Sequence, residues 1–270
     1  MDTAAAGHWN YIALSGMPRH NQTVGSAGFT GATVADRIRA AGFSAANSSE
    51  GIFGFPFPDQ AKYCVGTSGP YHLQDALYSW THVGTKSDDL SKVPGPYTPF
   101  PGAFGCVNVY AMVDTKQIGQ VPASGALITY PFDGGFGTYR SNVDQENPRP
   151  PRSVLPNTFI GAPVLISVRN ADFINWQADG SLDVTITQLE LKDAAGNIVP
   201  VGTLSNSRLK AGPGVVLNPD VLMKDGALVM SPLSPLTLGQ VYRVNFSATL
   251  KPGAPALTKT WTFTANETGS

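Results

Sequence analysis

Four histidines, His8, His20, His72 and His82, are the only imidazoles of the chain, and all lie in its first third. Imidazole is the side chain best suited to shuttle a proton near neutral pH or to bind a borderline metal ion. Chemistry of that kind is therefore expected in the first part of the sequence. A single histidine is more commonly a hydrogen-bonded core or surface residue, and that reading is kept for His8 and His82. No stand-alone enzyme signature accompanies them: there is no G-x-S-x-G elbow, H-E-x-x-H pair, Walker loop, G-x-G-x-x-G turn after a strand, or EF-hand loop. Cys64 and Cys106, the only cysteines, fit neither a zinc knuckle nor a redox C-x-x-C. They form either one disulfide or two buried thiols. Phe53, Phe55 and Phe57 alternate with Gly54, Pro56 and Pro58, which makes that loop either a core plug or an apolar lip for a small-molecule, lipid or glycan ligand.

The elements around these residues are short. Thr33-Val34-Ala35-Asp36 is a variant capping box that opens a helix with Val34, Ile38 and Ala41 on one face, and Gly42 is its left-handed stop. Pro58 to Val65 reads as a second helix. Val107, Val109, Ala111 and Val113 alternate with Asn108, Tyr110, Met112 and Asp114, a strand with one buried face, and Ala126 to Tyr130 is another. Four prolines between Asn142 and Pro156 place a domain boundary there, giving domains over 1–147 and 148–270. The second part is a series of alternating runs, among them Leu182 to Thr187, Tyr242 to Ala248 and Trp261 to Phe263, without helical periodicity. That pattern predicts an immunoglobulin-like β-sandwich. Tyr242, just after Leu238-Gly239-Gln240, sits where a tyrosine corner would, although burial in the core suffices to explain it.

Composition narrows the function classes. Only 14% of residues are charged and the net charge is −1, so the chain has no cationic excess for a phosphate backbone and nucleic acid is not an expected partner. No run approaches the roughly 20 apolar residues of a membrane span, and Met1-Asp2-Thr3-Ala4 does not begin a signal peptide. With 29 glycines and 22 prolines the chain is turn-rich, which excludes a coiled coil or helical bundle.

The order of motifs in the first part resembles the bacterial branch of the CAP superfamily, the SCP-like domains. The resemblance is carried by His20-Asn21-Gln22-Thr23, Gly28-Phe29-Thr30-Gly31-Ala32-Thr33, Asp36-Arg37, Ala40-Ala41-Gly42-Phe43, Ser49-Glu50-Gly51-Ile52, Pro70-Tyr71-His72 and Ala126 to Pro131 with Asp133-Gly134. It covers roughly residues 4–135. The resemblance implies an α+β, CAP-like α/β sandwich, reduced at its N-terminus to Ala4–Leu14 of the first helix. It also implies a cleft lined by His20, Glu50 and His72 that would hold Zn²⁺ or another divalent cation with a position open to solvent. Where the family often has Glu followed by Asn this chain has Glu50-Gly51, and no second cleft acid is recognisable. An incomplete polar set favours binding over catalysis.

The reading is therefore a secreted or cell-envelope binding protein, without catalysis, using the cleft at His20, Glu50 and His72. Two alternatives accompany it: a divalent-metal-dependent hydrolase using the same three residues, with Glu50 as metal ligand or catalytic base, and a purely structural interaction scaffold.

Overall fold

The computed structural model describes residues 1–16, 18–55, 69–89, 104–112, 121–178, 184–250, 253 and 255–267. Strands hold 38% of these residues and helices 17%. This corrects the expected α+β, CAP-like sandwich: the chain is mostly β-sheet. The helical signals exist but stop early. The capping box at Thr33 is formed in both directions, Asp36 N–H donating to Thr33 Oγ1 at 3.2 Å and Thr33 N–H to Asp36 Oδ2 at 3.1 Å, yet the helix ends after seven residues, before Gly42 at φ 82°. Asn47–Phe55 and His82–Asp89, which show no apolar alternation, become strands because each pairs along its length with Phe104–Met112. Pro58 to Val65 lies outside the described residues.

The chain divides into two compact units, one of residues 1–66 and 78–120, the other of 67–77 and 121–270. Asn142 to Pro156, the segment read as a boundary, lies inside the second unit.

The first unit is an antiparallel sheet of three strands, β1 (Asn47–Phe55), β2 (His82–Asp89) and β3 (Phe104–Met112), in the order β1-β3-β2. Helices α1 (Asp2–Ser15) and α2 (Val34–Ala40) cover one face. Ala4, Ala5, Trp9 and Ile12 of α1 and Ile38 of α2 pack on Val107, Val109 and Ala111 of β3. The expectation of a single buried face on β3 is incomplete, since Cys106, Asn108, Tyr110 and Met112 on its other face are also buried. Tyr110 stacks there on Trp80 with ring centroids 5.8 Å apart. Cys106 is disulfide-bonded; Cys64, the one other cysteine of the sequence, lies outside the described residues.

The second unit contains a four-stranded sheet, β10 (Val201–Ser205), β12 (Ala227–Pro232), β8 (Val164–Ser167) and β4 (Ile128–Tyr130), in that order. A five-stranded sheet runs β11 (Leu209–Ala211), β9 (Val184–Lys192), β13 (Val241–Thr249), β14 (Leu257–Asn266) and β5 (Gly135–Thr138). Val164, Ile166, Leu228 and Met230 of the first and Val184, Ile186, Val244, Phe246, Trp261 and Phe263 of the second share one apolar core. Tyr242 is buried in it, and its hydroxyl accepts from Thr237 N–H at 2.9 Å and donates to Gln240 Oε1 at 3.1 Å, so it is both core and corner.

The other face of the four-stranded sheet is covered as well, which is why every residue of β8 and β12 is buried, in keeping with the continuous apolar runs Val164-Leu165-Ile166 and Ala227-Leu228-Val229-Met230. Leu165, Leu204 and Val229 pack against Leu155, Ile160 and Val143, and against Tyr71 and Leu73 of α3 (Pro70–Ala76). The proline-rich stretch is therefore folded down rather than extended. Asp144 gathers it by accepting hydrogen bonds from Arg149, from Arg152 and from Thr158. Gly202 lets it lie close: a Cβ there would stand 2.3 Å from the Val154 carbonyl oxygen. Gly202→Ala is thus expected to lower the melting temperature, read by differential scanning calorimetry, whereas Gly214→Ala, at a position with open space and φ 77°, adds only local backbone strain.

Candidate functional site

Within the first unit, three elements converge on one carboxylate. Glu50 faces the helices from β1, two residues before Ile52, which packs into the same core. His8 stands on α1 one turn after Ala4 and one before Ile12, and so lies on the helix's buried stripe. Arg37 occupies the equivalent stripe of α2 between Val34 and Ala41. His20 follows α1, after Gly16 at φ 66° has ended that helix.

Glu50 is 6% exposed and both of its oxygens are engaged. Oε1 takes His8 Nδ1 at 2.5 Å and Arg37 Nη2 at 2.8 Å, and Oε2 takes His20 Nδ1 at 3.1 Å. Beyond the carboxylate, His8 Nε2 lies 2.9 Å from the Arg19 carbonyl oxygen and Arg37 Nη1 donates to the Gly31 carbonyl at 3.3 Å. The His8 and Arg37 side chains are fully buried, while the His20 side chain is 41% exposed. His20 is thus the member of the cluster that meets solvent, held from behind by a carboxylate.

Burial alone would raise the Glu50 pKa. Hydrogen bonds from His20 and His8, together with the charges of His8 and Arg37, reverse that and lower it from 4.5 to about 2. A carboxyl group whose folded value is depressed contributes stability that is complete above its ordinary value and is lost as pH falls toward the folded one. Acid titration followed by near-ultraviolet circular dichroism is therefore expected to show the first unit weakening below about pH 4.5, and Glu50→Gln to remove that segment of the pH profile.

Of the residues proposed to share a cleft, His20 and Glu50 are together. His72 belongs to the second unit, on α3, where its Nδ1 lies 2.8 Å from Glu146 Oε1. Glu146 Oε2 also accepts the Tyr71 N–H at 3.2 Å, so one carboxylate holds both the helix start and the imidazole. The helix is further fixed by Tyr71 Oη donating to Asp220 at 2.8 Å and by Gln74, which donates to the Leu222 carbonyl at 2.7 Å and accepts from Lys224 N–H at 2.8 Å. Burial works against the charged form of His72, but the hydrogen bond and charge of Glu146, aided by Asp75, outweigh it and raise the pKa above 6.5. The pair's contribution is therefore full below that value and is lost as pH rises through the folded one. Hydrogen exchange at the amides of 71–76, corrected for its intrinsic pH dependence, is expected to accelerate across that rise, and His72→Asn to abolish the change.

Phe53 and Phe55 lie in β1, but their side chains, like all of Phe57, fall outside the described residues. His82 is exposed, with Nδ1 3.0 Å from Thr81 Oγ1 and its ring edge-on to Phe43. Sequence reasoning left His8 as an ordinary hydrogen-bonded residue and gave Arg37, named only within a motif, no role at the site. The available signal was positional: each is a polar residue at an apolar-stripe position of a short helix, and a buried charge of that kind requires a partner.

The donor set does not fit a cation at Glu50. Its oxygens already accept three N–H groups, one from a guanidinium, whose charge opposes a metal ion at the same atoms. Among the described residues no group of three or more His, Cys, Asp or Glu side chains is placed to hold a metal. Neither a family model nor a curated protein matches the chain. Among the described residues no helix is long and apolar enough to cross a membrane.

Proposed function

We propose that this chain is an exported binding protein, without catalysis, that contacts a small ligand through His20. The observation that carries the proposal is a solvent-reached imidazole fixed by a buried carboxylate, since a pre-oriented polar group spends little entropy on capture. The bonded Cys106 supports export, because disulfides persist mainly in oxidising compartments.

The test is a thermal-shift panel of divalent cations, small anions and sugars on the full chain and on His20→Ala. At least one ligand class is expected to raise the melting temperature of the wild type and not of the variant. Identical responses of the two proteins throughout the panel would reject the reading.

The same pair favours one second reading, a hydrolase. An imidazole oriented by a carboxylate is the base and orienter of general-base catalysis, with His20 rather than Glu50 as the base. Turnover of an ester or amide panel that disappears in His20→Ala would establish it.

A further inference from the structure

The proton positions around Glu50 point to the class of ligand. Arg37 can only donate, and the Glu50 carboxylate, with its low pKa, is ionised and can only accept. His8 Nδ1 must therefore donate to Glu50. His8 Nε2 faces the Arg19 carbonyl oxygen, which also can only accept, so that nitrogen carries a hydrogen as well. An imidazole with hydrogens on both nitrogens is an imidazolium. Behind His20 there are then two buried positive charges, Arg37 and His8, against one negative charge, Glu50.

Within residues 1–55 no further acid redresses the excess. From residue 1 to 55 the acids are Asp2, Asp36 and Glu50, and the arginines are Arg19, Arg37 and Arg39. Asp36 is already paired with Arg39 at 3.1 Å and hydrogen-bonded to Thr33, and Asp2 accepts from Thr85 N–H. A cation arriving at His20 would meet this buried positive field, whereas an anion would be attracted by it.

We propose that the ligand of the His20 site is a small oxyanion. The inference rests on the reading of His20 as a contact residue and adds the ligand's charge to it. His20 Nδ1 is occupied by its hydrogen bond to Glu50, which leaves Nε2 for the ligand. To donate to the oxyanion there, Nε2 carries a hydrogen in the bound state, while Nδ1 keeps its own toward Glu50.

Calorimetric titration of the full chain at neutral pH with sodium phosphate, and separately with zinc chloride, tests this, each on the wild type and on His20→Ala. Phosphate is expected to bind the wild type, and at least tenfold more weakly to the variant. Zinc binding that depends on His20, with no phosphate heat, would overturn the oxyanion inference and leave His20 as a contact residue. Neither ligand binding, or equal phosphate heats from the two proteins, would overturn both. Because His20 is partly exposed, His20→Asn serves as a second variant that preserves a polar side chain should the alanine variant be poorly folded.

Discussion

Glu50→Ala is expected to lower the unfolding free energy by about 3–5 kcal/mol, measured by urea denaturation followed by circular dichroism. The loss does not come from a favourable ion pair alone. Arg37 and His8 are buried with no exposure of their side chains, and without the carboxylate they stand as uncompensated charges in a low-dielectric interior. Glu50→Gln retains the shape and some hydrogen bonding and still leaves the charges unbalanced, so its loss is expected to be nearly as large. Removing charge on both sides separates the mechanisms: Glu50→Gln combined with Arg37→Met is expected to recover part of the stability lost in the single variant. A single-variant loss below about 1 kcal/mol would show that the cluster does not organise the unit.

Trp261→Ala is the counterpart in the second unit, with an expected cost of about 3–5 kcal/mol. Trp261 is 1% exposed, sits on β14 at the centre of the core shared by the two sheets, and donates from Nε1 to the Pro131 carbonyl at 2.9 Å. Truncation would both open a cavity and leave a buried acceptor without its donor. Trp261→Phe retains most of the volume and loses the hydrogen bond, so its expected cost is smaller, about 1–3 kcal/mol. Equal losses for the two variants would mean that the hydrogen bond, rather than packing, is what the position requires.

The residues explain why some of this was legible in the sequence and some was not. Of the alternating runs, Val184 to Thr187, Tyr242 to Ala248 and Trp261 to Phe263 lie in strands because each has one face toward a core and one toward solvent. The capping box at Thr33 and the stop at Gly42 were legible because they are local chemistry. Asn47–Phe55 and His82–Asp89 were not, since their pairing with β3 is a long-range event with no local period. The overestimate of helix followed from the family resemblance, which carried an α+β fold onto a chain in which, among the described residues, only α1 runs beyond about two turns.

The candidate site divides in the same way. The motif resemblance marked His20 and Glu50, while the link to His8 and Arg37 depends on two helices meeting one strand. His72 matched a motif by type and order, yet its imidazole is held by Glu146, 74 residues further along the chain. A motif reports which residues are present and leaves open which carboxylate each one finds.

The assignment of residues 67–77 to the second unit has a practical consequence for dissecting the molecule. Those residues bring Tyr71 and Leu73 to a core otherwise made from sequence beyond residue 120, while the strands β2 and β3 that follow them complete the first unit. No single scission of the backbone yields two intact folding modules. A fragment beginning at 121 lacks part of its own interior, so truncation variants of this protein will report on a mutilated core unless the missing helix is supplied as a separate peptide or grafted on by circular permutation.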